Sequence, residues 1–217
     1  MSEAPILFEA RYYRKLILER EALERYAAEN DVIIGVAAET PYCFFIVDLV
    51  ESGNPGDTIR FPYQRVVYKA QLRGGTNVVV VGKISAVGLA ELGRIALVRQ
   101  ERHATGLSHL ELPRGFGEVG VSGVENALNE LRSETGLIGR EAFFIGSTFT
   151  DTGLTDARVD FFQVPVVGQT ERDPENSEAI QRVELLTEME IAAAIQAGDI
   201  RDAFTVQAVT FMKICRL

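Results

Sequence analysis

Glu130 and Glu134 stand four residues apart just after a glycine-rich run, a spacing that could do chemistry. If the residues after Ser122 form a helix, both carboxylates project from one face of it. Ser122 with Glu125 has the spacing of a capping box, Val124, Ala127, Leu128 and Leu131 recur at helical intervals, and Gly136 suits the helix end. Ahead of the helix, Pro113 to Gly117 reads as a turn, because proline fixes the approach and glycine adopts backbone angles closed to other residues. Two carboxylates beneath such a turn are a donor set for a hard divalent cation that holds a diphosphate. The same glutamates also fit the wet side of an amphipathic helix, and spacing alone leaves both readings open.

The whole stretch from Glu111 to Leu137, ELPRGFGEVGVSGVENALNELRSETGL, resembles the Nudix box of nucleoside-diphosphate-linked hydrolases. That box reads Gly, five residues, Glu, seven residues, then Arg-Glu-aliphatic-x-Glu-Glu-x-Gly-aliphatic. Gly115, Glu130, Leu131, Glu134, Gly136 and Leu137 match it, whereas Val121, Asn129 and Ser133 replace the first Glu, the Arg and the first of the paired Glu residues. In the family the first Glu and the Arg pair and brace the loop against the helix. Losing both together strands no lone charge, so the brace is replaced rather than broken. Ser133 removes a carboxylate from the metal face and should lower the number or the affinity of bound ions.

Upstream, VRQERHA followed by LELPRGFGE is similar to the ADP-ribose and nucleotide-sugar pyrophosphatase branch. The resemblance implies that Arg102 and Glu111 help to hold diphosphate and metals, while the lone His103 reads as a structural residue. It implies magnesium, with manganese as a substitute, on Glu130, Glu134, Glu111 and the Gly115 carbonyl. Glu130 and Glu134 would serve catalysis, and the acidic stretch ERDPENSEAI offers Glu175 and Glu178 as general bases. Gly153 fits the branch's substrate loop, in which Thr152 and Ala157 stand where Pro and Glu are expected. Arg65, with Phe61 and Tyr63, is a candidate for contact with the nucleotide. The activity implied is hydrolysis of ADP-ribose or a nucleotide sugar to two monophosphates. The alternative is a nucleotide-binding module of the same fold that has lost turnover, a reading to which Ser133, Thr152 and Ala157 lean.

The surrounding chain of 217 residues, 47% hydrophobic, can bury a sizeable core. Its net charge of −9 argues against nucleic acid or an anionic membrane as partner, since both repel an acidic surface. The absence of a leader pattern and of a long apolar run points to the cytoplasm, and Cys43 and Cys215 read as buried thiols. Periodicity predicts a surface helix over Glu9 to Glu29, strands over Asp31 to Val36, Tyr42 to Val50 and Ile59 to Leu72, and a loop at Ser52 to Asp57. Strand signals recur at NVVVV, at two segments between Ile95 and Glu111, and over Ala142 to Phe149 and Arg158 to Val167. Thr187 with Glu190 caps the first of two C-terminal helices. The fold class is α/β, layered α+β. The resemblance implies an α/β/α Nudix sandwich with a mixed sheet over residues 76–217, preceded by a helix-and-strand section over residues 1–75 through which the chain would form a homodimer.

Overall fold

The computed structural model describes residues 13–54, 56–86, 91–173 and 179–215. They form two compact units, one running up to Lys69 and taking in Asp151–Asp156, the other comprising Ala70–Thr150 and the chain from Ala157 onward. The boundary read from sequence at residues 75 and 76 thus differs from this division, which also draws a later connection into the first unit.

The first unit contains β1 (Tyr13–Leu16), α1 (Arg20–Asn30), β2 (Gly35–Glu39), β3 (Cys43–Asn54) and β4 (Asp57–Tyr68). β3 and β4 pair antiparallel along their whole length, and β1 and β2 occupy successive parts of the other edge of β3. Of the helix expected over Glu9 to Glu29, the first four positions lie outside the described residues, and among those described α1 begins only at Arg20. Tyr13–Leu16 is a strand, because pairing with β3 seats the next residue, Ile17, at 2% exposure with its N–H on the Leu49 carbonyl at 2.9 Å. Asp31 takes a left-handed conformation (φ 53°) that caps α1, so the strand expected there begins only at Gly35. The loop expected at Ser52 to Asp57 is mostly strand. β3 runs on through Gly53 (φ 143°), where a Cβ would lie 2.4 Å from the Asp57 carbonyl oxygen. The Asp151–Asp156 connection lies along β4, with the Val66 N–H donating to Leu154 O at 2.8 Å and the Tyr63 hydroxyl to Gly153 O at 2.7 Å.

The second unit follows the short helix α2 (Lys69–Leu72), which ends the run read as a strand to Leu72. It contains β5 (Asn77–Ile84), β6 (Ile95–Arg102), β7 (Leu107–Glu111), β8 (Arg114–Gly115), α3 (Gly123–Thr135), β9 (Leu137–Gly139), β10 (Phe143–Phe149), β11 (Arg158–Gln169), β12 (Ile180–Leu186), α4 (Glu188–Ala197) and α5 (Ala203–Cys215). The strand order is β10-β11-β5-β6-β12, with β7 on β6, β8 on β5 and β9 on β11. β11 runs parallel to β5 and the other pairs are antiparallel, so the sheet is mixed.

Successive β5 side chains serve opposite cores. Val79 and Val81 pack with Ile191, Ile200 and Ala208 on the α4–α5 side, and Val78 and Val80 with Ala127 and Leu131 of α3. A strand covered on both faces needs no polar alternation, which is why NVVVV reads as an unbroken apolar run. The α/β/α sandwich is thereby present in this unit. β12 escaped the sequence reading because it is an edge strand whose Gln181, Arg182 and Glu184 dilute the apolar pattern, as edge strands commonly do. Both capping boxes form, Ser122 with Glu125 and Thr187 with Glu190, and Gly136 and Gly198 end their helices at φ 73° and 81°. The cysteines differ from expectation. Cys43 is half-buried beside the Thr40 hydroxyl, and Cys215 is exposed on the last turn of α5, where its thiol donates to Ile145 O at 3.2 Å. Among the described residues no helix is long and apolar enough to cross a membrane.

Candidate active site

The turn between β7 and α3 is fixed by backbone pairing with the buried central strand. Arg114 and Gly115 pair with Val79 and Val78, and the Val80 N–H donates to Pro113 O at 2.8 Å. On its other side the turn meets backbone. A Cβ on Gly117 would lie 2.0 Å from the Thr76 nitrogen, and one on Gly75 would lie 2.4 Å from Gly117 O. These positions admit only glycine at this separation. Gly115 completes the arrangement, because a Cβ there would lie 1.8 Å from Glu130 Oε1. The carboxylate of Glu130 thus rests against the bare Cα of the turn.

β6 and β7 bring Arg102 and Glu111 opposite ends of a hairpin into ionic contact. Arg102 donates from Nε to both oxygens of Glu111 at 3.1 Å and from Nη2 to Oε2 at 2.6 Å, while Arg114 donates to Oε2 from Nε at 3.1 Å and from Nη2 at 3.0 Å. Glu111 is 2% exposed, and a charge so buried must be paired. Burial opposes its ionisation, but the Arg102 hydrogen bond and the Arg114 charge outweigh that and hold the carboxyl below the usual carboxylate range. Burial likewise opposes the Arg102 charge, and the bond to Glu111, the Glu111 charge and the more distant Glu134 and Asp202 raise its pKa above the ordinary value. Arg114 also lies 5.0 Å over the Phe204 ring and 3.9 Å from Asp202, whose carboxylate accepts the Thr205 N–H and hydroxyl at 2.8 Å. The Thr205 hydroxyl oxygen in turn accepts the Leu112 N–H at 3.0 Å, tying the start of α5 to the strand that leads into the turn.

On α3, Glu134 is 1% exposed and Glu130 half-buried, one turn apart. Among the described residues no three His, Cys, Asp or Glu side chains gather as a metal cluster. Magnesium does not require one, since it keeps several waters and is commonly held by one or two carboxylates together with substrate phosphates. The glycine cradle that leaves room for the Glu130 carboxylate, with the buried Glu134 on the same face, fits such an ion. Among the described residues Glu111 Oε1 accepts a hydrogen bond from Arg102 Nε, and a carboxylate oxygen has lone-pair capacity for more than one partner. Ser133, where the resemblance expects a carboxylate, donates its hydroxyl to Glu130 O at 3.2 Å and accepts the Asp173 N–H on its carbonyl at 3.1 Å. With Asn129, Arg132, Glu171 and Asp173 it lines one open cleft.

Within the second unit the structure joins Arg102 to Glu111 and Gly115 to Glu130, with Glu134 one turn further along α3 and its charge felt by Arg102. Arg65 and Gly153 belong to the first, where Arg65 pairs with Asp48 and Gly153 accepts the Tyr63 hydroxyl. Glu175 and Glu178 lie outside the described residues. His103 is exposed in the β6–β7 turn. Sequence reasoning missed Arg114, Asp202, Asn77 and Asn126. Asp202 carried a signal in its capping distance from Thr205, and Asn126 in being a polar residue amid the apolar positions of α3.

No family model matches the chain. A Caenorhabditis elegans protein assigned as nudix hydrolase 2 is 27% identical over 184 residues, covering 78% of this chain and 79% of that protein. An ADP-ribose pyrophosphatase of Bacillus subtilis (strain 168) is 24% identical over 135 residues, covering 61% of this chain and 72% of its own length. Among solved structures, an ADP compounds hydrolase superposes with a TM-score of 0.66 at 15% identity, over 84% of this chain and 90% of that one. The two sequence relatives agree with the resemblance carried by residues 111–137, and the structural neighbour shares the fold.

Two outcomes follow from this geometry. Gly115→Ala should lower turnover at least ten-fold, an estimate of about 1.4 kcal/mol or more in the barrier, yet shift the urea midpoint little, because the atom it strikes is the movable end of Glu130. Equal losses of stability and activity would count against the cradle. The second concerns acid. A carboxyl whose folded pKa is depressed contributes stability that is complete above its unfolded value, about pH 4.3, and lost as pH falls through the folded value. Glu111→Gln should cost about 3 kcal/mol at pH 7 by urea unfolding, with the gap to wild type closing below about pH 4. A gap that does not change with pH would refute the pairing.

Proposed function

We propose that this chain, related in sequence and in fold to the Nudix hydrolases, hydrolyses a nucleoside diphosphate linked to another moiety, ADP-ribose or a nucleotide sugar, releasing two monophosphates. The observation that carries the reading is the glycine cradle that sets the Glu130 carboxylate against the turn, with the buried Glu134 one helical turn away on the same face. Glu130, Glu134 and the Gly115 carbonyl would hold magnesium, or manganese in its place, with Glu111 reaching it through Oε1. When bound, the ion supplies positive charge to the phosphate oxygens and a more acidic water for attack.

This chain's own groups do the rest. Glu111 fixes the planar forks of Arg102 and Arg114, and Arg102, about a third exposed, is thereby oriented to take phosphate oxygens in two parallel hydrogen bonds. Glu175 or Glu178 would take the proton of the attacking water. Arg65 and the loop at Gly153 would contact the nucleotide. Two free cysteines accord with a reducing compartment, the cytoplasm. The first unit exposes Leu18, Ile33, Tyr42 and Ile59 at 63–74%, apolar surface that supports association through this unit.

The test is a panel of nucleoside diphosphate compounds offered with magnesium or manganese while monophosphate release is followed. ADP-ribose or a nucleotide sugar should be cleaved. Glu134→Gln, which keeps the volume and removes the charge, should lower kcat about 10²- to 10³-fold without unfolding the protein. Wild-type activity that survives the change would sink this mechanism, and tight nucleotide binding without any monophosphate release would establish a binding module instead. Light scattering at micromolar concentration should return about twice the 23.9 kDa chain mass. One chain mass would end the homodimer.

A further inference from the structure

We propose that Asn126 and Asn77 are positioning residues for the turn Pro113–Gly117, together doing in this chain what a charged brace cannot do with Val121 and Asn129 at the ion-pair positions. The inference rests on the hydrolase reading for its catalytic consequence, though not for the brace itself.

Asn126 is 4% exposed on α3, and its Nδ2 donates to Thr76 O at 3.0 Å and to Phe116 O at 3.2 Å. One side-chain amide therefore joins the helix to two separate loops. Asn77, 6% exposed on β5, works from the other side, with Oδ1 accepting the Gly117 N–H at 3.1 Å and Nδ2 donating to Arg158 O at 3.1 Å. The partners fix both amide orientations, since Asn126 faces two carbonyls and can meet them only with its NH₂, and Asn77 faces one N–H and one carbonyl. Gly75 and Gly117 touch backbone to backbone, which leaves no room for a longer side chain to bridge the loops. Removing the Asn77 amide would leave the buried Gly117 N–H without its acceptor, and removing the Asn126 amide would release its grip on the Thr76 and Phe116 carbonyls.

What the brace holds makes it more than a fold contact. Asn126 and Glu130 are four residues apart and share a face of α3, so one helix face grips the Phe116 carbonyl and, a turn later, lays its carboxylate against Gly115. Strand pairing holds Arg114 and Gly115 on β5, and Asn126 sets how α3, and with it Glu130, lies against that turn. The Gly115 carbonyl and the Glu130 carboxylate move apart when that grip is released, and misplacement of a site by about 1 Å can cost roughly 100-fold in rate.

The experiment uses the full chain, wild type against Asn126→Ala, with Asn126→Ser, too short to reach both carbonyls, as the fallback if the alanine variant does not fold. Amide hydrogen exchange of the turn is read on metal-free protein, manganese affinity by titration, and kcat and KM with ADP-ribose. In the folded variant the Phe116–Gly117 amides should exchange about ten-fold faster and manganese should bind about ten-fold more weakly, with kcat lower by about 10- to 100-fold and KM changed less than about three-fold. A lost structural contact alone would lower the folded fraction and leave manganese affinity and kcat per folded molecule unchanged. Exchange at the wild-type rate overturns the brace, and faster exchange with unchanged kcat and manganese affinity overturns its positioning role. A wild type that hydrolyses nothing sinks the hydrolase reading, while exchange in the variant still decides whether the brace exists.

Discussion

The second unit depends on a close approach of backbone that three glycines permit. Gly117 touches the Gly75–Thr76 peptide and Gly115 touches the Glu130 carboxylate, each at a distance a Cβ would forbid. Because of this approach, the loop after β7 can lie flat against β5 and beside the start of α3, where its buried N–H and C=O groups find partners in Val78, Val79, Asn77 and Asn126. The buried Gly117 N–H, left without its Asn77 acceptor, would cost about 1–3 kcal/mol. Sterics and hydrogen bonding therefore act together, the first admitting the turn and the second fixing it.

Charge is organised around the same turn. A chain of net −9 has little general attraction for a diphosphate, so any affinity must be local. The cationic groups beside the turn are Arg102 and Arg114, both held by the one buried carboxylate of Glu111, with Asp202 near the second arginine. The Glu111 carboxylate sets the geometry of both guanidinium groups before a ligand arrives. Such preorganisation lowers the cost of ordering side chains on binding.

The departures from the Nudix box have separate physical outcomes. At Val121 and Asn129 a charged brace is absent, and neutral amides hold the turn from Asn77 and Asn126 instead. At Ser133 a carboxylate is missing from the helix face that carries Glu130 and Glu134, and among the described residues no three His, Cys, Asp or Glu side chains gather as a metal cluster. The Ser133 hydroxyl turns back to Glu130 O, while its carbonyl anchors Asp173 at the start of the connection that carries Glu175 and Glu178. The helix itself is indifferent to these changes, since its cap, its apolar face toward Ala127 and Leu131, and its glycine end are intact.

By itself the sequence determined the turn, the helix α3 with both caps, the facing of Glu130 and Glu134, the buried β5 run and the two C-terminal helices, because each depends on spacing within a few residues of chain. It left undecided whatever rests on distant pairing. Tyr13–Leu16 has helical spacing but became a strand because β3 offered an edge, and β12 has a diluted apolar pattern but formed against β6. Arg114 and Asp202 are 88 positions apart in numbering, and Asn77 meets Gly117 across 40 residues, so no local pattern could have joined either pair. Tertiary structure alone decided those contacts, since the energy that makes them comes from burial of groups the chain brings together only when folded.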